Sequence, residues 1–146
     1  MTRASREQKV LVLIGPTGVG KTAVGHHLAR MLNGEIVSAD SRLIYRLMNI
    51  GTAKPEAQMR EEVRYHMIDQ CDPDQQYTCK QYEVGARKAV REILARHRLP
   101  VVVGGSGLYV RALTDGIFDG PGRDPGIRTR LEREARVKGK SHLWER

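Results

Sequence analysis

Val10-Leu11-Val12-Leu13-Ile14-Gly15-Pro16-Thr17-Gly18-Val19-Gly20-Lys21-Thr22 joins five consecutive apolar residues, three of them β-branched, to a glycine-rich turn. Such a run reads as a parallel strand buried on both faces. The turn matches G-x-x-x-x-G-K-[ST] at Gly15, Gly20, Lys21 and Thr22, which is a P-loop. Several backbone N–H groups must converge on one anion there, and glycines allow this without a Cβ clash. Lys21 adds a point charge, Thr22 offers a hydroxyl to Mg²⁺, and the helix opening at Lys21 directs its positive end at the same spot. All eight residues from Gly15 to Thr22 are therefore candidate diphosphate ligands. The motif does not say what the diphosphate carries.

The chain has 146 residues, the size of one domain with a real core. It contains no run of eighteen apolar residues, and Met1 to Lys9 lacks the apolar stretch of a signal peptide. A cytoplasmic protein without a membrane partner is expected. Cys71 and Cys79 match neither a metal pair nor a redox C-x-x-C and are expected as reduced thiols. The five histidines are scattered, and adjacent His26 and His27 point different ways on a helix, which is poor metal-ligand geometry. The net charge of +8 and pI near 9.9 suit a polyanionic partner. Half of that excess falls between Arg123 and Arg146, where eight Lys or Arg stand against four acids.

Outward from the P-loop, Lys21 to Leu32 reads as a helix with a core stripe of Val24, Leu28, Ala29, Met31 and Leu32, ended by Asn33-Gly34. Glu35 to Ser38 reads as a second strand that delivers Ala39-Asp40-Ser41-Arg42 to the sheet edge where ligands bind. Asp40 is placed to act on whatever the P-loop holds, a reading its position favours over the alternative, an N-cap of the segment Ser41 to Leu47. Ile50 to Pro55 is a loop, Glu56 to Val63 a short helix, and Tyr65 to Asp69 an extended segment. Thr78 and Gln81 form a capping box before the stripe Tyr82, Ala86, Ala89, Val90, Ile93, Leu94. Leu99 to Val103 is a second fully buried strand running into Gly104-Gly105-Ser106-Gly107 and a helix from Leu108 to Thr114. A motor-type ATPase would end that strand with a metal-binding aspartate, so ATP hydrolysis is disfavoured. Asp124-Pro125 opens a last, charged helix whose apolar stripe is only Ile127, Leu131 and Ala135. The expected fold is α/β, a P-loop parallel sheet flanked by helices. Residues 1–122 are expected to form the core, and 123–146 a basic helical segment.

Five segments carry a resemblance: Gly15 to Thr22, Ser38-Ala39-Asp40-Ser41-Arg42-Leu43-Ile44-Tyr45-Arg46, Gly51-Thr52-Ala53-Lys54-Pro55, His66-Met67-Ile68-Asp69 and Pro100 to Tyr109. In order and spacing they resemble the motif set of the tRNA dimethylallyltransferases, the isopentenylpyrophosphate transferase family. The resemblance spans essentially the whole chain but only the N-terminal half of such an enzyme; members continue through an inserted helical tRNA-binding domain and the rest of the core. It implies dimethylallyl transfer from its diphosphate to N6 of an adenosine beside the anticodon of tRNA, with Mg²⁺ held at Thr22, in a monomer. Asp40 would be the general base, with Ser106 and Arg128 completing the catalytic set. Asp40, Ser41, Arg42, Leu43, Ser106 and Arg128 would touch the tRNA. The family usually has threonine where Ser106 stands and two histidines where this chain has Tyr65-His66. A small-molecule P-loop kinase, an adenine-nucleotide isopentenyltransferase and an inactive fragment are the alternatives. Kinases have no need of the segments at Gly51 to Pro55 and Gly104 to Gly107.

Overall fold

The computed structural model describes residues 9–118, 120, 122 and 124–145. Outside them lie residues 1–8 of the N-terminal stretch, Asp119 and Pro121, and Arg123 and Arg146 of the basic segment. Four parallel strands, β1 (Leu11–Ile14), β2 (Gly34–Ser38), β3 (Tyr65–His66) and β4 (Leu99–Gly104), lie in the order β1-β4-β2-β3. Helices α1 (Lys21–Met31), α2 (Ala57–Glu62) and α3 (Cys79–Ala95) make the crossovers, and α4 (Gly107–Thr114), α5 (Pro125–Lys138) and α6 (Ser141–Trp144) follow β4. The expected parallel α/β sheet is present, and its strands end at one edge.

The pleat sorts the core into two faces, because alternate residues of a strand point opposite ways. Val102 of β4 and Val37 of β2 pack with Tyr82, Ala86, Ala89 and Ile93 of α3 and with Tyr109 and Ala112 of α4. Val101, Val103 and Ile36 pack with Ala29 of α1, joined by Leu11 and Leu13 of β1. The Thr78 capping box forms as expected: Thr78 Oγ1 accepts from Gln81 N at 3.2 Å and Gln81 Oε1 accepts from Thr78 N at 2.7 Å. Asp124 caps α5 through Gly126 N and Ile127 N.

Three expectations need correction. The strand before the P-loop is not buried on both faces. It is the edge strand, paired with β4 alone among the described residues; Val10 and Val12 are each about two-fifths exposed and Ile14 is 61 % exposed. The doubly buried strands are the two inner ones, β4 between β1 and β2, and β2 between β4 and β3. The buried face of α1 is Gly25, His26 and Ala29, whereas Val24, Met31 and Leu32 are exposed. Gly25 sits so close to Val103 that a Cβ would lie 2.5 Å from Val103 Cγ2, so contact with β4 sets the helix's rotation. Residues 41–47 form turns rather than a capped helix. Their backbone instead bonds to 69–71, with Asp69 N, Gln70 N and Arg46 N donating to Leu43, Ile44 and Cys71 carbonyls.

Polar clusters tie distant elements, one of them buried around Glu35 and another partly exposed around His26. Glu35 of β2, 2 % exposed, accepts from Arg96 Nε (3.0 Å) and Nη2 (2.8 Å) beyond α3, and lies 2.7 Å from His66 Nε2 of β3. Burial by itself raises the Glu35 pKa, but the hydrogen bonds from Arg96 and His66 outweigh it and hold the carboxyl below its ordinary value. On α1, His26 Nε2 is 3.3 Å from Glu62 of α2 and Nδ1 is 3.1 Å from the Tyr65 hydroxyl, a pairing that suits the Nε2–H tautomer. Burial pushes Tyr65 up to about 12. Cys71 and Cys79 are free thiols, and burial pushes both above the ordinary thiol value.

Candidate active site

The turn after β1 has the conformation its glycines allow: Gly18 and Gly20 take φ of 87° and 83°, a region that strains residues with a Cβ. Gly20 is the N-cap of α1, so the free N–H groups of that helix open onto the loop. Lys21 Nζ donates to the Pro16 carbonyl, which holds the ammonium over the loop.

The second wall comes from β2. Asp40 follows it, and Asp40 Oδ1 accepts from Arg42 N at 2.8 Å. This bond turns the chain and leaves the second carboxylate oxygen for other work. Asp40 thus caps a turn through Oδ1, not a helix, and at the same time lines the cleft.

Between these two strands lies β4, and its end must be bare for the walls to face each other. A Cβ on Gly104 would lie 2.2 Å from the Ala39 carbonyl oxygen. A Cβ on Gly105 would lie 3.3 Å from the Gly15 carbonyl oxygen and 3.9 Å from Lys21 Nζ. Ser106 then fastens the arrangement: its N–H donates to Ala39 O at 3.0 Å and its Oγ accepts from Ser41 N at 3.0 Å. Serine supplies here the hydroxyl that threonine would.

A cleft of 350 Å³ results, lined by Thr17, Gly18, Gly20, Lys21, Thr22, Ala23, Asp40, Leu43, Thr52, Ala53, Val103 and Gly104. The structure therefore brings Thr17, Gly18, Gly20, Lys21 and Thr22 of the P-loop to one cavity with Asp40 and Leu43, while Gly15, Pro16 and the exposed Val19 lie outside its lining; Ser106 is bonded to the Asp40 turn, and Ser41 and Arg42 are exposed beside it. Leu43 is buried, its side chain part of the cavity wall. Arg128 stands elsewhere, on exposed α5, where Nε donates to Glu132 Oε1 at 2.9 Å, one helical turn away. It lines a separate 1180 Å³ groove between α5 and α6 with Ile127, Leu131 and Leu143. Thr52 and Ala53 were not foreseen as site residues; the signal was the motif Gly51 to Pro55, which as a loop had no assigned task.

The IPP transferase family model matches residues 43–146. The chain belongs to the IPP transferase family. It is 45 % identical over 130 residues to the tRNA dimethylallyltransferase of Thermodesulfovibrio yellowstonii, covering 89 % of this chain and 41 % of that protein. With the tRNA dimethylallyltransferase of Anaeromyxobacter sp. strain K it shares 46 % identity over 138 residues, 94 % of this chain and 45 % of the relative. Among solved structures, the full-length tRNA isopentenylpyrophosphate transferase of Bacillus halodurans superposes with a TM-score of 0.75 at 40 % identity, covering 94 % of this chain and 46 % of that one. A eukaryotic dimethylallyltransferase acting on tRNA also gives 0.75, at 31 % identity and 86 % and 32 % coverage. This IPP transferase chain thus spans under half the length of these relatives.

Proposed function

We propose that this chain is the part of a tRNA dimethylallyltransferase that holds the prenyl diphosphate and activates its acceptor. The observation that carries this reading is the single cleft in which Lys21 and the P-loop share a wall with Asp40 across the bare end of β4. Lys21 and the loop amides bind the diphosphate of dimethylallyl diphosphate. As its C–O bond breaks, negative charge grows on the departing oxygens and these fixed donors stabilise it. The N6 amine of an adenosine beside the anticodon attacks the allylic carbon, and the free oxygen of Asp40 takes the proton that the amine loses. The base reaches the cleft only after leaving its stack.

Thr22, half-buried in the cleft wall, is a hard oxygen donor of the kind Mg²⁺ accepts. Among the described residues no three His, Cys, Asp or Glu side chains form a metal cage. This suits an ion that takes most of its shell from phosphate and water. When bound, Mg²⁺ supplies further neutralisation of the leaving diphosphate.

Ser41, Arg42 and Ser106 beside the cleft contact the tRNA, and Arg128 does so from basic α5. No described helix is long and apolar enough to cross a membrane. The protein acts as a cytoplasmic monomer. Calorimetric titration tests the reading: dimethylallyl diphosphate binds the wild type and ATP binds less well, while Lys21→Ala abolishes diphosphate binding without changing the fold. Tighter binding of ATP would return the site to the kinase class.

A further inference from the structure

The segment Gly51-Thr52-Ala53-Lys54-Pro55 contains a lysine that the sequence alone left without a task. The structure gives it one. Lys54 is 3 % exposed in its side chain, and its ammonium donates to Asp69 Oδ1 at 2.7 Å and to the Tyr45 carbonyl at 2.8 Å. Asp69 Oδ2 accepts from Arg60 Nη1 at 2.9 Å, and Arg60 Nε donates to the Pro55 carbonyl at 3.0 Å. Burial by itself raises the Asp69 pKa, but the bonds from Lys54 and Arg60 outweigh it and keep the carboxyl ionised. Lys54 thus closes the loop 45–54 at its base by bonding the first residue's carbonyl. Thr52 and Ala53, next to the closure, are the residues this loop contributes to the cleft.

Backbone strain collects in the same place. Leu47, Ala53, Met67 and Asp69 have φ between 53° and 62°, the left-handed region, and they account for four of the six such non-glycine residues among those described. Conformations of this kind persist only where surrounding bonds over-determine them. The tie between Lys54 and Asp69 links both strained segments.

We propose that Lys54 is a positioning residue: its buried ammonium, bonded to Asp69 and to the Tyr45 carbonyl, holds Thr52 and Ala53 in the wall of the diphosphate cleft. This rests on the diphosphate reading of the cleft. Lys54 itself does not touch the diphosphate.

Three variants of the protein decide it: Lys54→Met, Asp69→Asn and, as a control of comparable burial, Glu35→Gln in the separate Arg96 cluster. Amide hydrogen exchange reports the closure without any ligand. Exchange in residues 46–53 rises at least tenfold in Lys54→Met and Asp69→Asn and stays at the wild-type rate in Glu35→Gln. Titration with dimethylallyl diphosphate then shows Kd weakened about tenfold in the first two variants and within twofold in the control. Unchanged loop exchange in Lys54→Met overturns the proposal, as does faster exchange with an unchanged Kd. So does an Asp69→Asn variant that binds as well as or better than wild type while Lys54→Met loses affinity, since a lysine that was itself the phosphate ligand would be freed by that change. A wild type that binds no diphosphate overturns the reading of the cleft, while the exchange data still report on the closure.

Discussion

Asp40 uses its two carboxylate oxygens differently, and that division makes Asp40→Asn a clean test. Asparagine keeps an oxygen to accept from Arg42 N, so the turn at the end of β2 survives. It cannot take a proton at neutral pH. In the chain extended to the length of its relatives, single-turnover transfer of labelled dimethylallyl to an anticodon stem-loop should fall roughly 10²- to 10⁴-fold, the usual worth of general-base catalysis, with both substrates still bound. Wild-type turnover would leave Asp40 as a turn cap alone. The two neighbouring glycines separate stability from binding in the same way. Gly104→Ala forces a Cβ into the Ala39 backbone and should cost about 3 kcal/mol or more, seen as a melting temperature roughly 10 °C lower. Gly105→Ala puts its Cβ only 3.3 Å from the Gly15 carbonyl oxygen, a milder contact, and 3.9 Å from Lys21 Nζ, so it should weaken diphosphate binding more than it lowers the melting temperature.

Among the elements, β2 is held to β3 and to the end of α3 by Glu35, whose partners Arg96 and His66 come from segments far apart in sequence. Its carboxyl titrates near 4.5 when the chain is unfolded and lower when folded. Its stabilisation is therefore fully present above about pH 4.5 and is lost as the pH falls toward the folded value. Glu35→Gln should cost about 1–3 kcal/mol at pH 7, because Arg96 keeps access to water and loses only part of its pairing. Melting temperatures from pH 7 to pH 3 should show the gap between wild type and Glu35→Gln closing below pH 4.5. A gap that stays constant would mean that the ion pair contributes nothing. Asp69 shifts in the same direction and adds to the acid sensitivity of the wild type.

For the molecule as a whole, the decisive fact is the open side of the sheet. Val10 and Val12 share a 450 Å³ groove with Val90 and Leu94 of α3 and Leu113 of α4, and the outer edge of β1 has no strand beside it among the described residues. An apolar edge of this kind is a template for pairing with another chain. The 146-residue chain should associate through this edge at high micromolar concentration, weakly enough to be a monomer at the lower concentrations at which it acts. Val12→Lys should lower light scattering at least severalfold without shifting the melting temperature by more than a few degrees. Equal scattering by the two proteins would show that association runs through another surface, such as the apolar stripe on α5.

The sequence alone determined the features that arise within a short stretch of chain. The P-loop turn is one, because Gly18 and Gly20 suffice for its positive φ values; the capping box at Thr78 and the Asp124 cap of α5 are others, each closed by groups three residues apart or fewer. Family membership was also legible, since ordered motifs survive as strings of residues. Strand order was not. A run of valines and leucines states that a strand is apolar and says nothing of its neighbours, so β1 and β4 looked alike although only β4 is enclosed. Only the tertiary structure placed β4 between the strands carrying Lys21 and Asp40, explained why Gly104 must be bare, and brought Thr52 and Ala53 into the cleft. It likewise showed Lys54 bound to Asp69, and Arg128 on a helix away from the cleft. These outcomes depend on contacts between residues distant in sequence. Periodicity and turn chemistry act locally and carry no record of which distant partner will close on which.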